Sequence, residues 1–464
     1  MVLEWFKRFP RSTSLIASPI QTLQGVLSKP VDIAFLVYFR IVFGFIMMWE
    51  VWRYFSNDWI YKYWIEPAFH FTYFGFHWVR PLPGNGMYII WGLMGLLAFF
   101  IVIGLWYRLS AALFFLAFSY SFLLEATRYL NHFYLICLIS FILIFLPANR
   151  AFSVDALNDP AVRQKFVPSW TLWLLRAQIG VAYFYGGLAK LNWDWLHGEP
   201  MRMWLANRAD YPVIGDWFLT ETAVYFFSYG GLLFDLLVVP ALLWRQTRLP
   251  ATLTVIFFHL TNAHLFQIGI FPWFMLAATP IFYPPQTISR LSGKLHLRSS
   301  ASAQPAASFS LSPLTTLLFC GYLLFQFLFP LRHMLYPGSP SWTEEGHRFA
   351  WHMKLRSKSA TAVFRVVDKA SGAFVTIDPN DFLQSWQTSK MATRPDLILQ
   401  FAHYLAAQFR QQGWENVAVY AEVEASLNGR SAQPLIDSTR DLTRERPSLL
   451  PADWIMPLEI NLNE

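Results

Sequence analysis

Trp170-Thr-Leu-Trp-Leu-Leu-Arg-Ala-Gln-Ile-Gly-Val-Ala-Tyr-Phe-Tyr-Gly-Gly-Leu-Ala-Lys190 is about one bilayer's width of helix. It is mostly apolar and it closes on a lysine. A charge in or beside lipid is costly, so a retained one usually faces a protein interior, a water cavity or the interface. In a desolvated pocket a lysine gives up its proton easily and can act as a base. Arg176, Tyr183 and Lys190 recur every seven residues, close to two helical turns, and so share one stripe. Gly186 and Gly187, one turn before the lysine, allow a neighbouring helix or a flat ligand to approach the backbone. The competing reading is a terminal lysine that snorkels to the membrane surface beside a packing glycine pair.

The surrounding chain has the same character. Of its 464 residues, 55% are hydrophobic, 18% aromatic and only 14% charged. Soluble domains carry about a quarter charged residues, so the composition predicts a polytopic α-helical membrane protein. Long apolar runs fill 31–332, while 333–464 has the composition of a soluble domain. Nine candidate spans fall at about 33–52, 86–106, 109–127, 131–148, 170–191, 222–243, 250–267, 268–285 and 312–332. Pro272 and Pro280 are placed to break the seventh and eighth into short or re-entrant pieces. With the N-terminus in the cytoplasm, thirteen Lys and Arg fall in cytoplasmic segments and six outside, the bias that membrane topology requires. The C-terminal domain then lies outside, which is the periplasm for a protein of the bacterial inner membrane.

Met1–Pro10 sets Trp5, Phe6 and Phe9 beside Lys7 and Arg8, and 1–30 reads as an interfacial segment, not a cleaved signal. The Ser-, Ala- and Pro-rich stretch 299–312 reads as a cytoplasmic linker. Loop charges account for the net charge of +7, so no nucleic acid is called for. Cys137 and Cys320 lie inside apolar runs and offer neither a disulfide framework nor metal-ligand spacing.

Other polar groups sit at the same outer level as Lys190. His132 follows Asn131 at the start of the fourth span; it can bond a ligand hydroxyl, or simply end the span. His259 and Asn262 are three residues apart and share a helix face, whereas His264 points elsewhere. Paired membrane histidines can ligate haem, but only from facing helices. The phosphate-loop, zinc-protease and nucleophile-elbow motifs are missing. Trp193 and Trp195 fit an interfacial aromatic belt. In the soluble part, 364–377 reads as a hairpin around Lys369–Gly372, 396–410 as an amphipathic helix, and 416–433 as strands turning near Asn428-Gly429. A mixed, mainly β domain is expected at 333–464. A strand from Trp351 to Lys358 would present Lys354, Arg356 and Lys358 on one face, able to receive an acidic substrate or merely solvated.

Taken together, these stretches resemble the vitamin K-dependent γ-glutamyl carboxylase family, whose membrane part is also called the HTTM domain. The likeness runs through Phe39-Arg-Ile-Val-Phe-Gly-Phe45, Gly104-Leu-Trp-Tyr-Arg-Leu-Ser110, Asn131-His132, Phe152-Ser-Val-Asp155 and Leu175-Arg-Ala-Gln178. It continues through Lys190-Leu191 with Asp194-Trp195, Phe258-His-Leu-Thr-Asn262, Leu265-Phe-Gln-Ile-Gly-Ile-Phe271 and the Trp351 segment. Collinearity over that length is more specific than any single motif.

The resemblance implies a reduced vitamin K, phylloquinol or menaquinol, with O₂ and CO₂ as co-substrates and with no metal or biotin. It implies a glutamate-containing peptide or protein as substrate, contact with membrane lipid and a quinone-reducing enzyme as partner. Lys190 matches the family's catalytic lysine and His132 the histidine that assists oxygenation. Asn131, His259, Asn262, Trp351, Arg356 and Lys358 match groups that line the quinone or glutamate site. Animal members carry histidine and arginine where this chain has Arg356 and Lys358, and also have a longer soluble tail and a disulfide. Two further readings stand beside carboxylation: a quinol oxygenase that leaves protein unmodified, and a non-catalytic transport or assembly protein.

Overall fold

The computed structural model describes residues 19–266, 268–294 and 309–461. The expected helix at Met1–Pro10 and most of the 299–312 linker fall outside the described residues. A helix stands in each apolar interval: α1 Ala34–Ser56, α2 Gly86–Ile103, α3 Tyr107–Leu123, α4 Asn131–Phe145, α5 Trp170–Leu188, α6 Glu221–Leu243, α7 Arg248–Leu265, α8 Phe271–Ala278 and α9 Pro313–Leu328. Among the described residues, four stretches are long and apolar enough to cross a membrane: Ala34–Ser56, Gly86–Ile103, Glu221–Leu243 and Pro313–Leu335. The expected count of nine spans is therefore not met on length and apolarity. At ~1.5 Å per residue, the 17 residues of α3 and 15 of α4 fall short of a ~30 Å hydrocarbon core. α5 and α7 are diluted by Arg176, Gln178, His259, Asn262 and His264. α8 is held short by Pro272 in its first turn and Pro280, which opens a 3₁₀ turn at Thr279–Phe282.

One end of the bundle is tied by Arg40 of α1. Its buried guanidinium donates to the carbonyls of Ala148, at 3.0 Å, and Phe152. Asp155 accepts from the N–H groups of Trp106, at 2.7 Å, and Tyr107, at 3.0 Å, and so caps the start of α3. Gly104 ends α2 at φ +66°, and a Cβ there would lie 2.4 Å from the Arg40 guanidinium. Three separated sequence stretches thus meet at one point. β1 Pro30–Asp32 pairs with β2 Phe166–Pro168 as a small antiparallel ribbon.

Beyond α9 the chain forms an antiparallel four-stranded sheet in the order β4-β3-β5-β6, with β3 Lys358–Asp368, β4 Phe374–Ile377, β5 Val417–Leu427 and β6 Gln433–Pro434. The predicted hairpin pairs Phe364 with Ile377, and the predicted turn carries Asn428 at φ 53° and Gly429 at φ 85°. α10, Pro395–Gln411, packs on the sheet through buried Leu397, Phe401, Leu405 and Phe409. The expected strand from Trp351 is not present: β3 begins only at Lys358. Phe349, Trp351 and Lys354 have φ of 62°, 60° and 48°, and left-handed backbone breaks the alternation that a strand needs.

The sheet domain sits directly on the helices. Arg430 grips Asp194 with two bonds of 2.7 Å, and Asn428 adds a third of 2.7 Å. Burial pushes the Asp194 carboxyl up, but these bonds outweigh it and hold the group below its ordinary range. On another side Gln387 donates to buried Glu125 at 3.1 Å and to the Phe69 carbonyl at 2.8 Å.

Candidate active site

A cavity of about 480 Å³ lies between the start of α4, the end of α5, and α6, α7 and α8, with Met353 and Lys354 in its wall. Lys190 stands just past the end of α5, and its Nζ donates to the Gly186 carbonyl at 2.9 Å and to Asp235 Oδ2 at 2.5 Å. Both side chains of this pair are 7% exposed, so the lysine turns inward and does not snorkel. The glycines make the pairing possible. A Cβ on Gly187 would lie 2.8 Å from the Leu236 side chain and 3.0 Å from its backbone nitrogen; one on Gly186 would lie 2.8 Å from Met353. Their absence lets α6 close on α5 until Asp235 reaches the ammonium.

Asp235 is not among the residues expected at the site from the sequence. Its signal was present: a single carboxylate in the middle of the apolar run 222–243, where acids are rare and usually functional. The hydrogen bonds define what the pair can do. As an ammonium, Lys190 donates to both partners and has no lone pair to offer. It becomes a proton acceptor once a proton passes along the 2.5 Å bond to Asp235.

Around this pair the lining is aromatic, including Tyr183, Trp195, Phe227, Phe234, Phe258 and Phe271. Trp195 is 3% exposed, donates to the Ser228 carbonyl at 2.8 Å and lies under the Lys190 ammonium at 5.3 Å; it is a pocket wall and not part of an exposed belt, whereas Trp193 is 67% exposed. His132 lines the pocket and makes no side-chain hydrogen bond among the described residues; the same holds for Asn262. His259 is fully buried, with Nε2 2.7 Å from the Tyr183 hydroxyl and no partner for Nδ1. Unspent hydrogen-bonding groups in an apolar cavity suit a flat ring bearing oxygens. Asn131 also lines the pocket, but its amide is occupied: it accepts from the Tyr129 hydroxyl at 2.9 Å and donates to the His352 carbonyl at 3.0 Å, pinning the covering segment.

Other expected members lie elsewhere. Arg176 binds the carbonyls of Ile281 and Tyr283 at 2.8 and 2.9 Å, so the stripe with Tyr183 and Lys190 reaches the pocket only through the latter two. His264 is exposed. Trp351 is buried against Tyr134, with ring centres 4.9 Å apart. Arg356 Nη2 lies 2.5 Å from Glu344, and Lys358 Nζ donates to the carbonyls of Trp342 at 2.5 Å and Thr393 at 2.8 Å. Neither lines the pocket, and without the strand they share no open face with Lys354. Burial lowers the Lys358 amine to about 7. Of that basic set only Lys354 reaches the cavity.

The exposed part of the lining has two positions. Phe226, Gly230, Thr254 and Phe257 open it sideways between α6 and α7, and Lys354 opens it toward the soluble domain. The pocket is thus reachable from two directions, between α6 and α7 and beside Lys354.

The sequence matches the HTTM domain family over residues 28–286 and the vitamin K-dependent gamma-carboxylase, lumenal domain, over 311–461. No solved structure matches it. The helical part that builds the pocket and the sheet domain that covers it are thus matched separately and in order, and the chain belongs to the vitamin K-dependent gamma-carboxylase family.

Proposed function

We propose that this chain is a quinol-dependent γ-glutamyl carboxylase of the membrane. The observation that carries the reading is the buried Lys190–Asp235 pair opening onto an aromatic cavity with unspent groups on His132, His259 and Asn262. The γ-proton of a glutamate is far too weakly acidic for any side-chain base near neutral pH, so the reaction needs a stronger base than the chain itself holds. Bound in this cavity, a reduced vitamin K would supply that base by reacting with O₂, leaving as its epoxide while CO₂ adds to the glutamate and water is released.

The residues have narrower tasks. Lys190 Nζ takes a phenolic proton and Asp235 accepts the proton the lysine held. His132 and Asn262 orient ring oxygens by hydrogen bonding. Tyr183 fixes the His259 ring, and the aromatic walls keep water from the reacting groups. On the loop-charge reading the N-terminus is cytoplasmic, residues 31–332 form the catalytic membrane part, and the 333–464 domain faces the periplasm of a bacterial inner membrane. Reduction of the epoxide to the quinone, and of the quinone to the quinol by a quinone-reducing enzyme in the same membrane, completes the cycle.

The placement of Arg356 and Lys358 against Glu344 and backbone carbonyls supports a second reading, quinol epoxidation without protein carboxylation, because it removes two expected glutamate contacts. One experiment decides. Purified protein receives reduced vitamin K, O₂, labelled bicarbonate and a glutamate peptide. Epoxide together with label in the peptide is the expected result; epoxide alone selects the second reading; neither product sinks both.

A further inference from the structure

The segment 349–354 is held in an unfavourable backbone shape. Three of its residues, Phe349, Trp351 and Lys354, have positive φ, which is uncommon for residues other than glycine and strained for bulky ones. Contacts with the helical part enforce it. The Phe349 N–H donates to the Tyr129 hydroxyl at 2.6 Å, Asn131 holds the His352 carbonyl, and Trp351 is buried on Tyr134. The result is that Lys354, and not Arg356 or Lys358, is delivered to the cavity mouth.

Its surroundings are unusual for a surface lysine. The ammonium lies 5.2 Å from the centre of the Trp204 ring and 5.5 Å from that of Phe266, both pocket walls, which fixes its position. Arg208, tethered to the Leu265 carbonyl at 3.0 Å, is near enough for the two positive charges to repel. Among the described residues neither forms an ion pair, and Asp235 inside the pocket is committed to Lys190. A mouth with two cations, two aromatic faces and no counter-charge is relieved by an anion arriving from outside.

We propose that Lys354, backed by Arg208, binds the carboxylate of the acidic side chain that enters the pocket, and so sets specificity for an acidic peptide. This rests on the carboxylase reading for the nature of the ligand. It assigns to Lys354 the recognition that Arg356 and Lys358, turned toward Glu344, do not perform.

The test measures binding of a glutamate peptide and its glutamine counterpart to the full chain in nanodiscs of neutral lipid. The wild type should prefer glutamate by about fivefold, the scale of a partly exposed ion pair, and salt should erode the preference. Lys354→Met should abolish it and Lys354→Arg should keep it. A Lys354→Met protein with the wild-type preference, or a wild type with none, overturns the assignment. Persistence of a Lys354-dependent preference in a protein that yields neither epoxide nor label would instead sink the carboxylase reading and leave the carboxylate contact standing.

Discussion

On the proposed function Lys190 and Asp235 act as one unit, and single substitutions at either end have different meanings. Lys190→Ala should abolish epoxide formation, but it also leaves a buried carboxylate without its cation, a cost of about 3–5 kcal/mol. The double variant Lys190→Met/Asp235→Leu removes both charges and should recover most of that stability with activity still absent; thermal unfolding beside turnover separates the two effects. Asp235→Asn keeps the shape and a hydrogen bond while removing the proton acceptor, and epoxide formation should fall about 100-fold. Normal turnover in either Lys190→Ala or Asp235→Asn would remove that residue from the proton path. At this scale the sequence carried much of the site: Lys190, His132, His259 and Asn262 stand out as polar groups in apolar runs, and all four line the cavity. Asp235 carried the same signal. Lys354 did not, because only the unexpected backbone turn separates it from Arg356 and Lys358.

Among the elements, the contact between α5 and α6 decides whether the pair forms. Gly180 and Gly187 both lie on α5 facing α6, but their surroundings differ. A Cβ at 180 would meet Val239 at an ordinary 3.6 Å, whereas one at 187 would press on Leu236 at 2.8 Å and on its backbone nitrogen at 3.0 Å. Gly180→Ala should therefore be tolerated. Gly187→Ala should force the helices apart, costing about 2 kcal/mol and most of the activity. Equal turnover in the two variants would show that the close approach is not required. Helix positions were legible because apolar length is written locally in the chain. The Trp351 segment was not, since its left-handed residues are imposed by Tyr129, Asn131 and Tyr134, far away in sequence. The number of crossings was likewise not readable from run length, because several apolar runs fold into helices too short or too polar to span a bilayer by themselves.

For the molecule as a whole, the seam between sheet domain and helices gathers half-buried cations around His347 and His352, and this sets a pH response. Burial, reinforced by neighbouring positive charge, drives His347 well below its ordinary value of 6.5 and His352 from 6.5 to about 3. The unfolded chain takes up protons near pH 6.5 that the folded domain refuses. Stability is therefore intact above that value and is lost as pH falls toward about 3. The unfolding midpoint of the solubilised protein should drop across this window, and replacing both histidines by glutamine should flatten the drop; an unchanged slope would place the acid sensitivity elsewhere.

The gap between α6 and α7 at Phe226 and Phe257 has a kinetic corollary. If the proposed quinol reaches Lys190 through this flank, it is drawn from a two-dimensional reservoir, so its effective dose is its mole fraction among lipids and not its amount per volume of buffer. Adding inert lipid at constant total quinol should slow the enzyme by surface dilution, while adding buffer to the same vesicles should leave each molecule's rate unchanged.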